Sequence, residues 1–171
     1  MAIEVGELAA RISKLPPLAG STRVIAIDGA AGSGKTTLAA RLGEQLAGSF
    51  VLNTDQLYYG WDGLAEGSRR LVDDVLRPLS EGEVATVRAW DWSAASEAEP
   101  RAVPSCETLI VDGAGCGSRA AAEFLSMIIW LDAEPEVRQR RALDRDGEMF
   151  APHWERWAEQ ERQLFELEQT R

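Results

Sequence analysis

Four short apolar runs punctuate the chain, and helix-forming stretches follow the first, second and fourth of them. Val24 to Ile27, Phe50 to Asn53, Thr108 to Val111 and Met127 to Leu131 are the apolar runs. They have the length of buried strands, and the third leads straight into Asp112-Gly113. Ahead of the first run, Ile3, Val5, Leu8, Ala9 and Ile12 recur at near-helical spacing, which predicts a leading helix over residues 3–14 that ends before Pro16-Pro17. Further helices are predicted from the residues after Thr36 to about Ala47, with Gly48 as the stop, and from Ser68 to Leu76, closed by Pro78. Two more run from Glu134 to Leu143 and from about Pro152 to Gln169. Residues 93–105 read as loop. Strands alternating with helices imply an α/β fold with a parallel sheet and right-handed crossovers.

The junction between the first strand and its helix carries the strongest chemistry. Residues Gly29, Ala30, Ala31, Gly32, Ser33, Gly34, Lys35 and Thr36 spell G-x-x-x-x-G-K-[ST], with Thr37 opening the helix. In that context glycines let the backbone turn its N–H groups around phosphate oxygens, and the helix terminus adds positive dipole. Lys35 then reaches the β/γ-phosphates, and the Thr36 hydroxyl holds magnesium. The expected ligands are ATP and Mg2+. Asp112, an acid ending an apolar strand, is the second expected magnesium ligand, with capping of the glycine turn that follows as the alternative.

Composition narrows the class. With 171 residues the chain suits one domain. Its 45% hydrophobic and 27% charged content is ordinary for a globular protein. The net charge of −10 argues against a nucleic-acid partner, so anionic ligands must be captured locally. Only Lys14 and Lys35 are lysines, against sixteen arginines. Cys106, Cys116 and the single His153 form no metal spacing. No apolar stretch is long enough to span a bilayer and no signal segment is evident, which predicts a cytoplasmic protein. The oligomeric state is open.

A phosphate loop is shared by kinases, GTPases and transport ATPases. The position of an N-K-x-D base-reading segment is taken by Leu131-Asp132-Ala133-Glu134, and no L-S-G-G-Q-like signature is present. A kinase needs a phosphate cradle, a metal, cations over the transferred group and an acid to orient the acceptor hydroxyl. Asp55, just beyond the second strand, is the expected general base, with a cap or turn aspartate as the alternative. Arg141 and Arg145, with Arg138 close behind, lie three and four residues apart and share a helix face. They are the expected lid arginines; the alternative is a solvated face pairing Glu134, Asp144 and Asp146. Tyr58, Tyr59, Trp61, Trp90 and Asp91 fall in the polar, aromatic-rich middle region, with Trp92 beside them, and are candidates for acceptor contact. Trp130, Trp154 and Trp157 read as packing residues.

Taken in order, these segments resemble the uridine kinase family of P-loop nucleoside kinases. The resemblance rests on the loop at Gly29 to Thr36, Asn53-Thr54-Asp55-Gln56-Leu57-Tyr58-Tyr59 after the second strand, and Val75 to Leu79 with Gly82. Trp90-Asp91-Trp92, the strand Leu109 to Gly113 and the arginine-bearing Arg138 to Asp146 complete it. It implies a three-layer P-loop sandwich with core strand order 2-3-1-4. It also implies one kinase-like domain over residues 1–171, an acceptor region at about 54–105, a lid at about 138–150, and phosphoryl transfer from ATP to a nucleoside such as uridine or cytidine. The chain departs from the family twice. The histidine and arginine that usually follow the Tyr-Asp element are replaced by Trp92-Ser93-Ala94-Ala95-Ser96-Glu97, which leaves another nucleoside, a sugar or a vitamin alcohol open as acceptor. The family's fifth strand has no counterpart before Gln169-Thr170-Arg171. A nucleotide-binding switch or regulatory ATPase acting through a protein partner is the alternative to the kinase.

Overall fold

A computed structural model describes residues 4–170. Ile3, the first apolar position of the predicted leading helix, lies outside them. The elements run α1 (Val5–Ile12), β1 (Arg23–Asp28), α2 (Lys35–Gln45), β2 (Ser49–Asn53), α3 (Leu64–Arg70), α4 (Arg77–Ser80), β3 (Thr86–Val87), β4 (Trp90–Asp91), β5 (Ser96–Glu97), β6 (Arg101–Ala102), β7 (Thr108–Asp112), β8 (Met127–Trp130), α5 (Pro135–Phe150) and α6 (Trp154–Glu168).

The four apolar runs form one parallel sheet in the order β2-β7-β1-β8. With the short ribbons set aside, that is the expected 2-3-1-4, and the sheet has four strands. Because side chains alternate across a strand, β1 feeds two cores. Val24 and Ala26 join Leu52, Leu109 and Val111 under the wide turns that continue α3, where Leu71, Val75 and Leu76 pack. Ile25, Ile27 and Ile110 face the other way onto Leu8 and Ile12 of α1 and Ala39 and Leu42 of α2. A sheet covered on both faces explains why its strands read as continuous apolar runs.

A third cluster forms over the carboxyl ends of the strands. Tyr58, Leu64, Ala142, Phe150, Trp154, Trp157 and Leu164 bring α5 and α6 down onto the segment after β2. This layer closes the functional end of the sheet.

Three local expectations change. The helix expected over Ser68 to Leu76 begins earlier, at Leu64, and runs through wide i→i+5 turns over Leu71–Leu76 into α4. Pro78 therefore sits in the opening turn of α4, where a missing N–H is tolerated, and does not end the helix. Residues 93–105 are not wholly loop: β4 pairs with β5 and β3 with β6, as two-residue antiparallel ribbons. The helix expected to stop near Leu143 continues as α5 to Phe150 and bends at Gly147 (φ 54°, ψ −133°). That bend separates the arginine-bearing stretch from the aromatic residues that follow.

Candidate active site

β1 is buried from Val24 onward and delivers the chain to Gly29 at the edge of a cleft of about 390 Å³. The loop that follows is pressed from above by α5. A Cβ on Gly32 (φ 77°) would come within 2.1 Å of the Arg138 carbonyl oxygen, so this position demands glycine for its conformation and for its clearance. Gly34 precedes α2, and no side chain caps that helix, which leaves its first N–H groups to a ligand. Lys35 Nζ donates to the Ala30 carbonyl at 2.9 Å, folded over its own loop. Ser33 Oγ is buried and makes no hydrogen bond.

Asp112 ends β7 in register with Ile27 and Asn53, so the parallel sheet sets it beside the loop. Both of its carboxylate oxygens are buried, and neither meets a donor in ordinary hydrogen-bond geometry, the Thr36 hydroxyl being the nearby one. Burial pushes the carboxyl up to about 6, opposed by the nearby Thr36 hydroxyl and Lys35. A buried carboxylate with unused lone pairs is costly. A hard divalent cation held between Thr36 and Asp112 oxygens would remove that cost, so the donor set fits magnesium.

Asp55 lies one turn beyond β2. The cap of that turn is Asn53, whose Oδ1 accepts the Asp55 N–H at 2.7 Å. Trp92 Nε1 donates to the Asp55 carbonyl at 3.0 Å. Both backbone groups are thus held, and the side chain lines the cleft without a hydrogen-bond partner among the described residues. The enclosing walls raise its pKa, against the pull of Lys35 and Arg145. Among the expected lid arginines, Arg145 lines this cleft, clamped by Asp146 through Nε and a terminal nitrogen 2.6 Å from the carboxylate. Arg138 sits at the loop instead, donating to Ala133 and Ala31 carbonyls. Arg141 is exposed and outside the cleft.

The aromatic candidates divide. Trp61 lines the cleft, stacked on Phe150 and His153 with centroids 5.4 and 4.3 Å away, and Trp92 tilts against it at 4.6 Å. Trp157, read as packing from the sequence, also reaches the wall. Tyr58 lines the cleft with its hydroxyl already engaged: it is fully buried, and the hydroxyl donates to the Ala114 carbonyl and pairs with Thr54. A Cβ on Gly113 (φ 148°) would strike that Thr54–Tyr58 pair, so the strand end and the acceptor segment interlock. Tyr59 and Trp90 stack on each other away from the cleft, with Arg70 3.8 Å over the Tyr59 ring. Asp91 is spent on its own turn, accepting from Ser93 and Ala94 N–H groups and the Ser93 hydroxyl, which also lowers its pKa.

Two acids that sequence reasoning passed over organise the site. Asp28, buried at the end of β1, accepts N–H groups from Gly29, Gly115 and Gly117 and so ties the phosphate loop to the turn after β7. Its signal was an acid closing an apolar strand. Glu161, 2% exposed on α6, accepts the Ala31 N–H of the loop at 2.7 Å and Trp157 Nε1 at 3.0 Å. Its signal was an acid inside the stripe Trp154, Trp157, Leu164.

Burial pushes the Glu161 carboxyl up to about 7 from an ordinary 4.5, although Lys35 and the two hydrogen bonds oppose it. Between those values the folded protein keeps a proton that the unfolded chain has released. Its contribution to stability therefore falls as pH rises from about 4.5 to about 7 and is level above that. Glu161→Gln keeps an acceptor oxygen and removes this dependence. Thermal unfolding of the two proteins from pH 5 to 8 is expected to show wild type losing on the order of 2–3 kcal/mol relative to the variant, at about 1.4 kcal/mol per pKa unit. Parallel curves would contradict the assignment.

A glycine phosphate loop between a central parallel strand and its helix, with an acid on the neighbouring strand, defines a P-loop nucleotide-binding domain. The chain belongs to the AAA domain family, whose model matches residues 25–160. No curated protein matches it by sequence. Among solved structures it is similar to a possible uridine kinase from Bacillus stearothermophilus, with a TM-score of 0.68 and 18% identity over 96% of this chain and 91% of that one. It is also similar to a candidate fructose transport system kinase from Silicibacter sp. TM1040, with a TM-score of 0.67 and 19% identity over 92% and 88% of the two chains. The chain thus shares its P-loop α/β fold with both of these proteins. Among the described residues, no helix is long and apolar enough to cross a membrane.

Proposed function

We propose that the protein is a kinase that transfers the terminal phosphoryl group of ATP to a hydroxyl of a small molecule, a nucleoside of the uridine or cytidine kind being the leading acceptor. The observation that carries this reading is one cleft that joins Lys35 and Thr36 of the phosphate loop, the free carboxylate of Asp55, Asp112 and Arg145. The similarity of the fold to two kinases supports it. In this reading residues 1–171 act as one domain in the cytoplasm, with 54–105 receiving the acceptor and 138–150 acting as the lid.

The loop N–H groups and the start of α2 bind the phosphates, and Lys35 turns from Ala30 to their oxygens. Thr36 and Asp112 would hold magnesium, which when bound neutralises charge on the phosphates. Asp55 accepts the proton of the acceptor's hydroxyl as the hydroxyl oxygen bonds to the γ-phosphorus and the bond from that phosphorus to the β,γ-bridging oxygen breaks, releasing ADP. Arg145 offers a planar fork to the charge on the transferred group. Trp61 and Trp92 present faces against which a flat base or the apolar face of a sugar can lie, and the layer of α6 behind them excludes water.

Magnesium-dependent ADP release across a panel of nucleosides, sugars and vitamin alcohols tests the reading. One acceptor is expected to stimulate turnover, and Lys35→Ala is expected to abolish it. Turnover that no acceptor changes would sink the kinase assignment and favour a slow ATPase that acts through a partner.

A further inference from the structure

Glu161 has an odd position for an acid. Its oxygen accepts a backbone N–H of the phosphate loop, with Trp157 as second donor and Lys35 and Arg138 as the neighbouring cations. That is the environment a phosphate oxygen finds in such a loop. Glu161 also stands in the wall between the acceptor cleft and a second cleft of about 670 Å³, bounded by Ala30, Trp130, Arg138 and Phe165.

The same helix grips the acceptor segment. Gln160 Nε2 donates to the Trp61 carbonyl at 2.7 Å, and Arg156 pairs with Asp62. Gln160 and Glu161 are consecutive, so one turn of α6 touches both halves of the site. At its far end Glu168 accepts the Arg119 N–H at 2.8 Å. A shift of α6 that freed Ala31 would also disturb the support of Trp61.

We propose that Glu161 is an internal latch, which competes with the terminal phosphates of a nucleoside triphosphate for the Ala31 N–H and which, on being displaced, loosens α6 from the acceptor segment. The proposal rests on the triphosphate-binding part of the kinase reading and not on phosphoryl transfer. A ligand shifts such an equilibrium only through unequal affinity for the two states. Here the inequality has a plain source: with the latch closed, the Ala31 N–H is already taken, and a carboxyl group faces the incoming phosphate.

The test is binding of a non-hydrolysable ATP analogue with magnesium, and of inorganic tripolyphosphate, to wild type, Glu161→Gln and Glu161→Ala by calorimetry. Glutamine keeps an acceptor without the charge, whereas alanine removes both. Affinity is expected to rise from wild type to glutamine to alanine, with the alanine variant binding about tenfold tighter or more if the latch is closed at least nine-tenths of the time. Hydrogen exchange on wild type needs no variant: the analogue is expected to speed exchange across residues 154–168. Equal or weaker binding by folded variants, or protection of α6 by the analogue, would overturn the proposal. Loss of the affinity order with acceptor phosphorylation intact counts against the latch alone. The affinity order without any acceptor phosphorylation supports the latch and counts against the kinase.

Discussion

Asp55→Asn is expected to lower acceptor-dependent turnover by about 10² to 10⁴, the usual worth of a positioned general base, while leaving nucleotide affinity unchanged. The substitution is nearly isosteric, and the contacts that hold Asp55 in place are backbone contacts, to Asn53 and Trp92, which asparagine keeps. The fold should therefore survive and the loss should fall on kcat. Because the cleft walls raise the Asp55 pKa, the acid limb of the wild-type pH–rate profile should be displaced upward from that of a free aspartate and disappear in the variant. Steady-state kinetics with calorimetric nucleotide binding checks this. A variant that turns over normally would remove Asp55 from the chemistry.

Arg145→Ala is expected to cost about 10³ or more in kcat, in the range of arginines that stabilise a transferring phosphoryl group. Arg141→Ala should cost almost nothing. The contrast is sharp because sequence spacing treats the two arginines alike, whereas only Arg145 enters the cleft. The Arg145–Asp146 pair is half exposed and contributes little to stability, so loss of activity cannot be put down to unfolding. Arg145→Lys should recover only part of the rate, since a point charge cannot reproduce the fork. Equal losses in the Arg141 and Arg145 variants would mean that the lid closes in another register.

The sheet and the phosphate loop were legible in the sequence because each is coded locally. Strands buried on both faces write themselves as apolar runs, and the loop is an unbroken eight-residue pattern from Gly29 to Thr36. Asp112 followed from its strand, and Asp55 from its place after β2. The acceptor wall was legible only in outline. Trp90 lies in β4 and Trp92 in the turn that follows it, so Trp92 reaches the cleft and Trp90 does not, and nothing in the aromatic pattern separates them. Asp91 read as a ligand-binding acid, but its carboxylate closes a local turn, a use that the following Ser93 foreshadows. Glu161 was hidden for another reason: its contact with Ala31 spans 130 residues and exists only once α6 has docked. An acid within an apolar helical stripe is the one local trace of it.

The most direct test of the central claim follows the labelled γ-phosphate of ATP in the presence of the acceptor that stimulates ADP release. A phosphate monoester of that acceptor, formed in step with ADP and lost in Asp55→Asn, is the result this account predicts. Recovery of the label as orthophosphate alone, whatever acceptor is supplied, would contradict it.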